Sequence, residues 1–231
     1  MEERLTLRQR EAEPVWTSMR AWLDGASAGR VLPRSKRFLY DSGMRVPMIV
    51  RIPEQHAYLR PGPPGSRFAE LVSFVDLAPT MLSLASAPIP EYIQGRAFLG
   101  DETSPEPEYV FGFRDRMDER YDLSRAVRGR RFKYIRHYLP HRPWGRRLEY
   151  LWKMPAMQSW EDEYRAGRLN EVQRRFFEEK PSEELFDLAA APFEVNNLAF
   201  DPEFGEVLAR MREALRSFIL NTRDTGFLQE S

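Results

Sequence analysis

Lys36-Arg-Phe-Leu-Tyr-Asp-Ser-Gly-Met-Arg-Val-Pro-Met-Ile-Val-Arg-Ile-Pro53 is the stretch on which the fold turns. Its second half, residues 47–52, is a short, β-branched apolar run closed by Pro53, the pattern of a strand buried in a layered core. Its first half places a lysine, a tyrosine, an acid and a Ser-Gly turn just ahead of that strand. The loop that follows has its turns fixed by Pro61, Gly62, Pro63, Pro64 and Gly65. Leu71 to Val75 reads as a further strand. Asp76 reads as an N-cap with Pro79 in the first helical turn, where a missing N–H does no harm. Leu77, Met81, Leu82 and Leu84 give that helix an apolar side.

Further along, the period changes to two. Tyr109, Phe111 and Phe113 alternate with polar or small residues, and Ala126–Arg128 and Phe132–Tyr138 read as strands joined by a turn at Gly129. Residues 140–182 form a long excursion rich in Trp, Arg and Met, in which Asn170 and Gln173 make a capping pair. Glu184 to Leu188 reads as a short strand. A C-terminal helix is capped by Asp201, has Pro202 in its first turn, and lines one face with Phe204, Val207, Leu208, Met211, Leu215, Phe218 and Ile219. Before the opening stretch the pattern is poorer, with a short helix predicted around Val15 to Leu23.

The 231 residues suffice for one large domain or two small ones, and a hydrophobic share of 42% with 30% charged residues describes an ordinary globular chain. The formal net charge is zero, which removes the electrostatic footprint of a general nucleic-acid binder. No cysteine is present, so there is no disulfide, thiolate metal site or thiol nucleophile. No run approaches the length of a membrane span, and Met1 to Arg20 lacks the apolar core of a secretory signal. The chain as written is therefore expected to be cytoplasmic.

The opening stretch resembles the late active-site loop and following core strand of the type I sulfatases. Leu71-Val-Ser-Phe-Val-Asp-Leu-Ala-Pro-Thr-Met-Leu82 is similar to the next segment of that family, and Gln94-Gly-Arg96 to its linker. Ser124-Arg-Ala-Val-Arg-Gly-Arg-Arg-Phe-Lys-Tyr-Ile135 is similar to the hairpin that reads Arg-x-x-Lys-Tyr. Glu184-Leu-Phe-Asp-Leu188, with Pro192, Glu194, Asn197, Leu198 and Ala199, resembles the terminal signature, with Ala191 where the family has aspartate. The resemblance spans about residues 31–222, in family order. It implies an α/β fold: a partial alkaline-phosphatase-like large domain followed by a small antiparallel α+β C-terminal subdomain. The expected division is an atypical segment at 1–30, a core remnant at 31–100, and the small subdomain at 101–231 with its insertion at 140–182.

The resemblance also implies chemistry. Family members hydrolyse sulfuric esters with a formylglycine made from Cys/Ser-x-Pro-x-Arg, and a calcium ion held by acidic side chains polarises the sulfate. This chain has no such nucleophile motif: Ser86-Ala-Pro-Ile-Pro90 ends in proline instead of arginine. It also has no Asp-His-Gly metal cluster, so no catalytic or metal-binding residue is assigned. Lys36 matches the lysine that contacts the sulfate; the plainer reading is a solvated lysine. Asp41 reads as a turn acid before a ligand contact. His141 and Arg142, with Trp144, can line a sugar-sulfate pocket, or be structural or exposed, and His137 stands with them. The basic strip Arg128, Arg130, Arg131, Lys133 and Arg136 reads as a solvated hairpin face before a nucleic-acid site.

The expected function is thus of sulfatase ancestry, of the sulfated-sugar type, inactive alone because nucleophile and metal ligands are absent. The alternatives are a non-enzymatic sulfated-glycan- or partner-binding module, and a fragment of a phosphonate or phosphate ester hydrolase of the same superfamily. The rest of the enzyme is expected on a separate chain or lost through truncation or frameshift, although intact relatives are often exported. The expected ligand is a sulfate ester or sulfated sugar.

Overall fold

The computed structural model describes residues 38–116 and 119–228. The helix predicted near Val15–Leu23 and the candidate Lys36 lie outside these residues. The chain divides into two compact units. Unit one takes the described residues of Met1–Arg45, Gly112–Val127 and Arg131–Ser231; unit two takes Val46–Phe111 and Arg128–Arg130.

The elements in chain order are α1 (Asp41–Met44), α2 (Leu77–Leu84), β1 (Val110–Arg114), β2 (Ser124–Arg128), β3 (Phe132–His137), α3 (Glu149–Trp152), α4 (Pro155–Arg165), α5 (Glu171–Arg174), β4 (Glu183–Asp187) and α6 (Gly205–Thr222), with short 3-10 turns between them. The strands form one sheet in the order β1-β2-β3-β4. β3 and β4 pair antiparallel, with Lys133 opposite Phe186 and Ile135 opposite Glu184. The small antiparallel sheet with helices is therefore the C-terminal architecture that the sequence led us to expect.

Strand alternation sorts the side chains of unit one. Ala126, Ile135 and Phe186 belong to one core with Phe38, Tyr40, Trp144, Trp160 and Phe176. Trp160 stacks on Phe176 with ring centroids 4.5 Å apart, and Phe177 stacks on Tyr164 at 4.6 Å. The excursion is thus a packed aromatic layer. Its capping pair forms as predicted: Asn170 Oδ1 accepts from Gln173 N at 2.9 Å, and Asn170 N donates to Gln173 Oε1 at 3.0 Å.

The opposite alternation carries Phe132, Tyr134 and Arg136. Phe132 meets Phe204 edge-on at 6.1 Å, and Arg212 of α6 pairs with Glu183. Leu208, Met211 and Leu215 are the buried stripe of α6. Asp201 caps the turn before it by accepting from Glu203 N at 3.0 Å. Beyond α6, buried Arg125 clamps the tail: its Nε donates to Asp224 at 2.5 Å, its NH1 to Asp115 at 2.7 Å, and its guanidinium lies 5.3 Å from the Phe227 ring.

Unit two departs from expectation at two places. Residues 47–52 and 71–73 are neither strand nor helix, and a 3-10 turn spans Phe74–Asp76. A strand exists only where neighbours complete its hydrogen bonds, and no described segment pairs with residues 46–51 through the backbone. The second correction concerns Asp76, whose side chain does not cap α2. Its carboxylate accepts instead from Ser73 N at 2.8 Å and Arg96 N at 2.9 Å.

The helix α2 is held by its polar side. Thr80 Oγ1 accepts from Phe98 N at 3.1 Å, and Ser83 Oγ accepts from Glu102 N at 2.9 Å. Glycine permits this close approach: a Cβ on Gly95 would sit 2.0 Å from the Val75 carbonyl oxygen, and Gly100 adopts φ +105° with Ser83 backbone 2.6 Å from a would-be Cβ. Among the described residues no helix is long and apolar enough to cross a membrane.

Candidate functional site

The described chain after Lys36 begins with three buried residues, Phe38, Leu39 and Tyr40. Tyr40 packs between Trp144 and Phe186, at centroid distances of 6.3 and 6.0 Å. Its hydroxyl lies 3.0 Å from both carboxylate oxygens of Glu184. Burial, and then the Glu184 charge, push the Tyr40 phenol well above its ordinary pKa, so it remains a donor.

Glu184 also meets His137 Nε2 at 2.9 Å, and His137 Nδ1 meets Ser124 Oγ at 2.8 Å. With Glu184 ionised and the ring neutral, Nε2–H donates to the carboxylate and Nδ1 accepts from the serine hydroxyl. Trp144 stands edge-on to the imidazole at 5.7 Å. Serine, histidine and glutamate in line have the connectivity of a nucleophilic triad. All three are buried, however, and a nucleophile must reach its substrate. This relay instead ties β2, β3 and β4 together and holds the Tyr40 hydroxyl.

A second polar cluster holds the next residue. Lys133 Nζ, fully buried, lies 2.7 Å from Asp41 Oδ1 and 2.5 Å from Glu194 Oε1. Asp41 N donates to Glu194 Oε2 at 2.6 Å. Glu194 adopts φ +58°, in the left-handed region, which costs a side-chain-bearing residue about 1–2 kcal/mol. Burial pushes its carboxyl above the ordinary value, against the pull of Lys133. The opening stretch, the Arg-x-x-Lys-Tyr hairpin and the terminal signature thus converge on one buried corner, which fixes residues 38–41.

The signature's other members are structural. Asn197 Oδ1 accepts from Leu185 N at 2.9 Å and Ala199 N at 3.0 Å, and its Nδ2 donates to the Glu183 carbonyl at 2.9 Å. Asp187 Oδ1 accepts from Ala189 N at 3.0 Å. These bonds close the turn after β4.

His141 is exposed in the turn after β3. Arg142 NH1 donates to the Tyr121 carbonyl at 2.9 Å, and Trp144 is buried in the core. His137 belongs to the buried relay and is turned away from solvent. The basic strip is largely neutralised: Arg130 pairs with Glu106, Arg131 with Asp187, Arg136 with Glu183, and Lys133 lies inside. Sequence reading missed Glu184 and the interior role of Lys133. The available signal was that Lys133 and Glu194 are both family-motif residues and Lys133 is one of few lysines.

A calcium site does not fit the described residues. Among them no group of three His, Cys, Asp or Glu side chains is arranged to hold a metal ion. Several buried acids are taken by cations: Asp41 and Glu194 face Lys133, and Asp122 accepts from Lys180 Nζ at 2.6 Å.

Residues 34–148 match the family described as N-sulphoglucosamine sulphohydrolase, C-terminal. An ulvan-active sulfatase of Formosa agariphila is 41% identical over 204 residues, covering 88% of this chain and 33% of that protein. The N-sulphoglucosamine sulphohydrolase of Homo sapiens is 27% identical over 209 residues, covering 85% of this chain and 40% of that protein. The solved structure of a 2-O GAG sulfatase aligns at 23% identity with a TM-score of 0.45, covering 67% of this chain and 26% of that one. The chain spans 33–40% of the length of the curated relatives it matches.

Proposed function

The chain belongs to the sulfatase family, and from that premise we propose that it is a C-terminal sulfatase module of the sulfated-sugar type that does not hydrolyse sulfate esters by itself. The observation that carries this reading is the convergence of three family motifs on the buried Tyr40–Asp41 corner. The corner rigidly anchors the segment directly after Lys36, whose ammonium would supply a positive charge to sulfate oxygens. Anchoring of this kind is what a binding residue on a loop needs to hold its position.

The substrate class is supported by the relatives' names, ulvan-active sulfatase and N-sulphoglucosamine sulphohydrolase. The lack of independent turnover is supported by the sequence: it has no cysteine and no Ser-x-Pro-x-Arg from which the family nucleophile is made. Calcium has no part in this reading, because among the described residues no group of three His, Cys, Asp or Glu side chains is arranged to hold it. In this reading the module holds one wall of a sulfate site and leaves bond cleavage to groups outside it.

The test is an assay of the purified chain with an aryl sulfate and with N-sulphoglucosamine, with and without calcium. No turnover is expected in any arm. Calcium-dependent release of sulfate would contradict the proposal. Binding of a sulfated sugar without turnover, lost in Lys36→Ala, would place the binding function in the module itself.

A further inference from the structure

Arginines gather in unit one where β2 begins and β3 ends. The two strands are neighbours, and Tyr138 N donates to the Leu123 carbonyl at 2.9 Å, so the residues ahead of β2 meet those after β3. Arg142 NH1 donates to the Tyr121 carbonyl at 2.9 Å, and Arg146 NH1 donates to the same oxygen. Arg120 Nε donates to the Arg147 carbonyl at 2.9 Å. Among the described residues no carboxylate forms an ion pair with Arg120, Arg142, Arg146 or Arg147. Elsewhere in unit one the rule is the opposite: Arg125 meets Asp115 and Asp224, Arg131 meets Asp187, and Arg212 meets Glu183. The acid beside the cluster, Asp122, is buried and held by Lys180 Nζ at 2.6 and 2.7 Å. Glu119 Oε1 accepts from Glu149 N at 2.9 Å.

These cations are held in place. A guanidinium has five N–H donors, and among the described residues Arg142 and Arg146 each give one, to a neutral oxygen that they share. Burial, and then the Arg142 charge, hold the Arg146 guanidinium below its ordinary pKa, with Arg120 adding to the effect and Asp122 opposing it. The backbone between the two is pinned: Arg142 N donates to the Leu139 carbonyl at 3.1 Å, Gly145 N to the Phe176 carbonyl at 2.6 Å, and Arg146 N to the Trp144 carbonyl at 2.9 Å. The Tyr121 ring lies 6.0 Å from the Arg142 guanidinium, and its hydroxyl donates to the Gly226 carbonyl at 3.2 Å. Arg142 and Arg146 are half-buried, and Arg120 is exposed, so a solute reaches them.

We infer that Arg120, Arg142 and Arg146 form a binding site for a singly charged oxyanion, a carboxylate or a sulfate monoester carried by a solute. Planar guanidinium forks match two oxygens of such a group, and fixed donors spend little entropy in binding it. An anion also relieves the repulsion between two guanidinium groups that share one carbonyl. That carbonyl and Asp122 limit the charge that the site accepts, which disfavours a phosphate monoester with nearly two charges at neutral pH. The inference rests on the charges and contacts of unit one and does not depend on Lys36 or on the sulfatase reading.

The experiment therefore reads binding and not turnover. The purified chain is titrated calorimetrically with glucuronate, glucose 6-sulfate, glucose 6-phosphate and glucose, at ionic strength held constant with sodium chloride. Saturable binding of the first two with a Kd of about 1 mM or tighter is expected, with none of glucose. Arg142→Gln and Arg146→Gln should each weaken it about tenfold or more. Arg120→Gln, at an exposed side chain, should weaken it without touching the interior. Arg216→Gln, whose arginine pairs with Glu213 on α6, should leave it unchanged, and circular dichroism identifies the folded variants.

Folded wild-type chain that binds neither glucuronate nor glucose 6-sulfate overturns the inference. So does binding that persists in folded Arg120→Gln and Arg146→Gln, or that falls in Lys36→Ala while the arginine variants keep it. Glucose 6-phosphate binding more tightly than both overturns the assignment to a singly charged group. Binding of glucuronate or glucose 6-sulfate that the arginine variants lose and Lys36→Ala keeps supports the site even where the proposed Lys36 wall fails.

Discussion

In unit one a lysine has no exposed surface and is met by two carboxylates; in unit two an isoleucine has 94% of its surface in water. The usual places of charged and apolar side chains are reversed in this pair of residues. The reversal is costly in both places, and the two regions handle it differently. Unit one offsets the burial of Lys133 internally, with Asp41 and Glu194 at hydrogen-bonding distance. Unit two has no described group to cover Met48, Ile49 and Val50 or to pair their backbone. Unit one answers a buried charge with opposite charges of its own chain, whereas unit two leaves consecutive apolar side chains in water.

The largest effect should come from breaking the finished corner. Lys133→Met leaves Asp41 and Glu194 buried without their cation and should cost about 3–5 kcal/mol of stability, measured by urea denaturation. A loss below about 1 kcal/mol would mean that the carboxylates reach water and that unit one is less closed than its burial implies. Next comes Asn197→Ala, which leaves the Leu185 and Ala199 amides and the Glu183 carbonyl short of a partner. About 1–3 kcal/mol is expected in the same measurement.

Acid should act on the tail clamp. The bond from Arg125 holds the Asp224 carboxyl below its ordinary pKa of 3.8. A carboxylate whose pKa falls on folding adds stability that is complete above its unfolded value and is lost as the pH falls through the folded value. Amide exchange at Gly226, whose N–H donates to Asp224 at 2.9 Å, should therefore gain protection from the clamp above about pH 4 and lose it below. In Asp224→Asn that acid-linked loss should disappear. The smallest effect belongs to unit two: Ile49→Thr should change stability by no more than about 0.5 kcal/mol, because nothing described covers the side chain.

What the sequence revealed divides along the same line. The β2–β3 hairpin was legible from period-two alternation and Gly129, and the last helix from Asp201, Pro202 and its apolar stripe, because each signal and its consequence are local. The capping pair Asn170–Gln173 was legible for the same reason. The strand expected at 47–52 has the right composition but no strand neighbour among the described residues, and composition does not record neighbours. Lys133 looked like one more cation on a basic hairpin. Its partners Asp41 and Glu194 come from distant parts of the chain, so its burial is a tertiary fact. The site was legible as motifs; that three of them meet at one corner required the fold.

Hydrogen exchange of the isolated chain compares the two regions in a single experiment. Amides of residues 132–137 should exchange slowly and those of 48–52 at nearly the rate of an unstructured peptide. Strong protection of 48–52 in the isolated monomer would contradict the account, because it would show that unit two already completes its own strand.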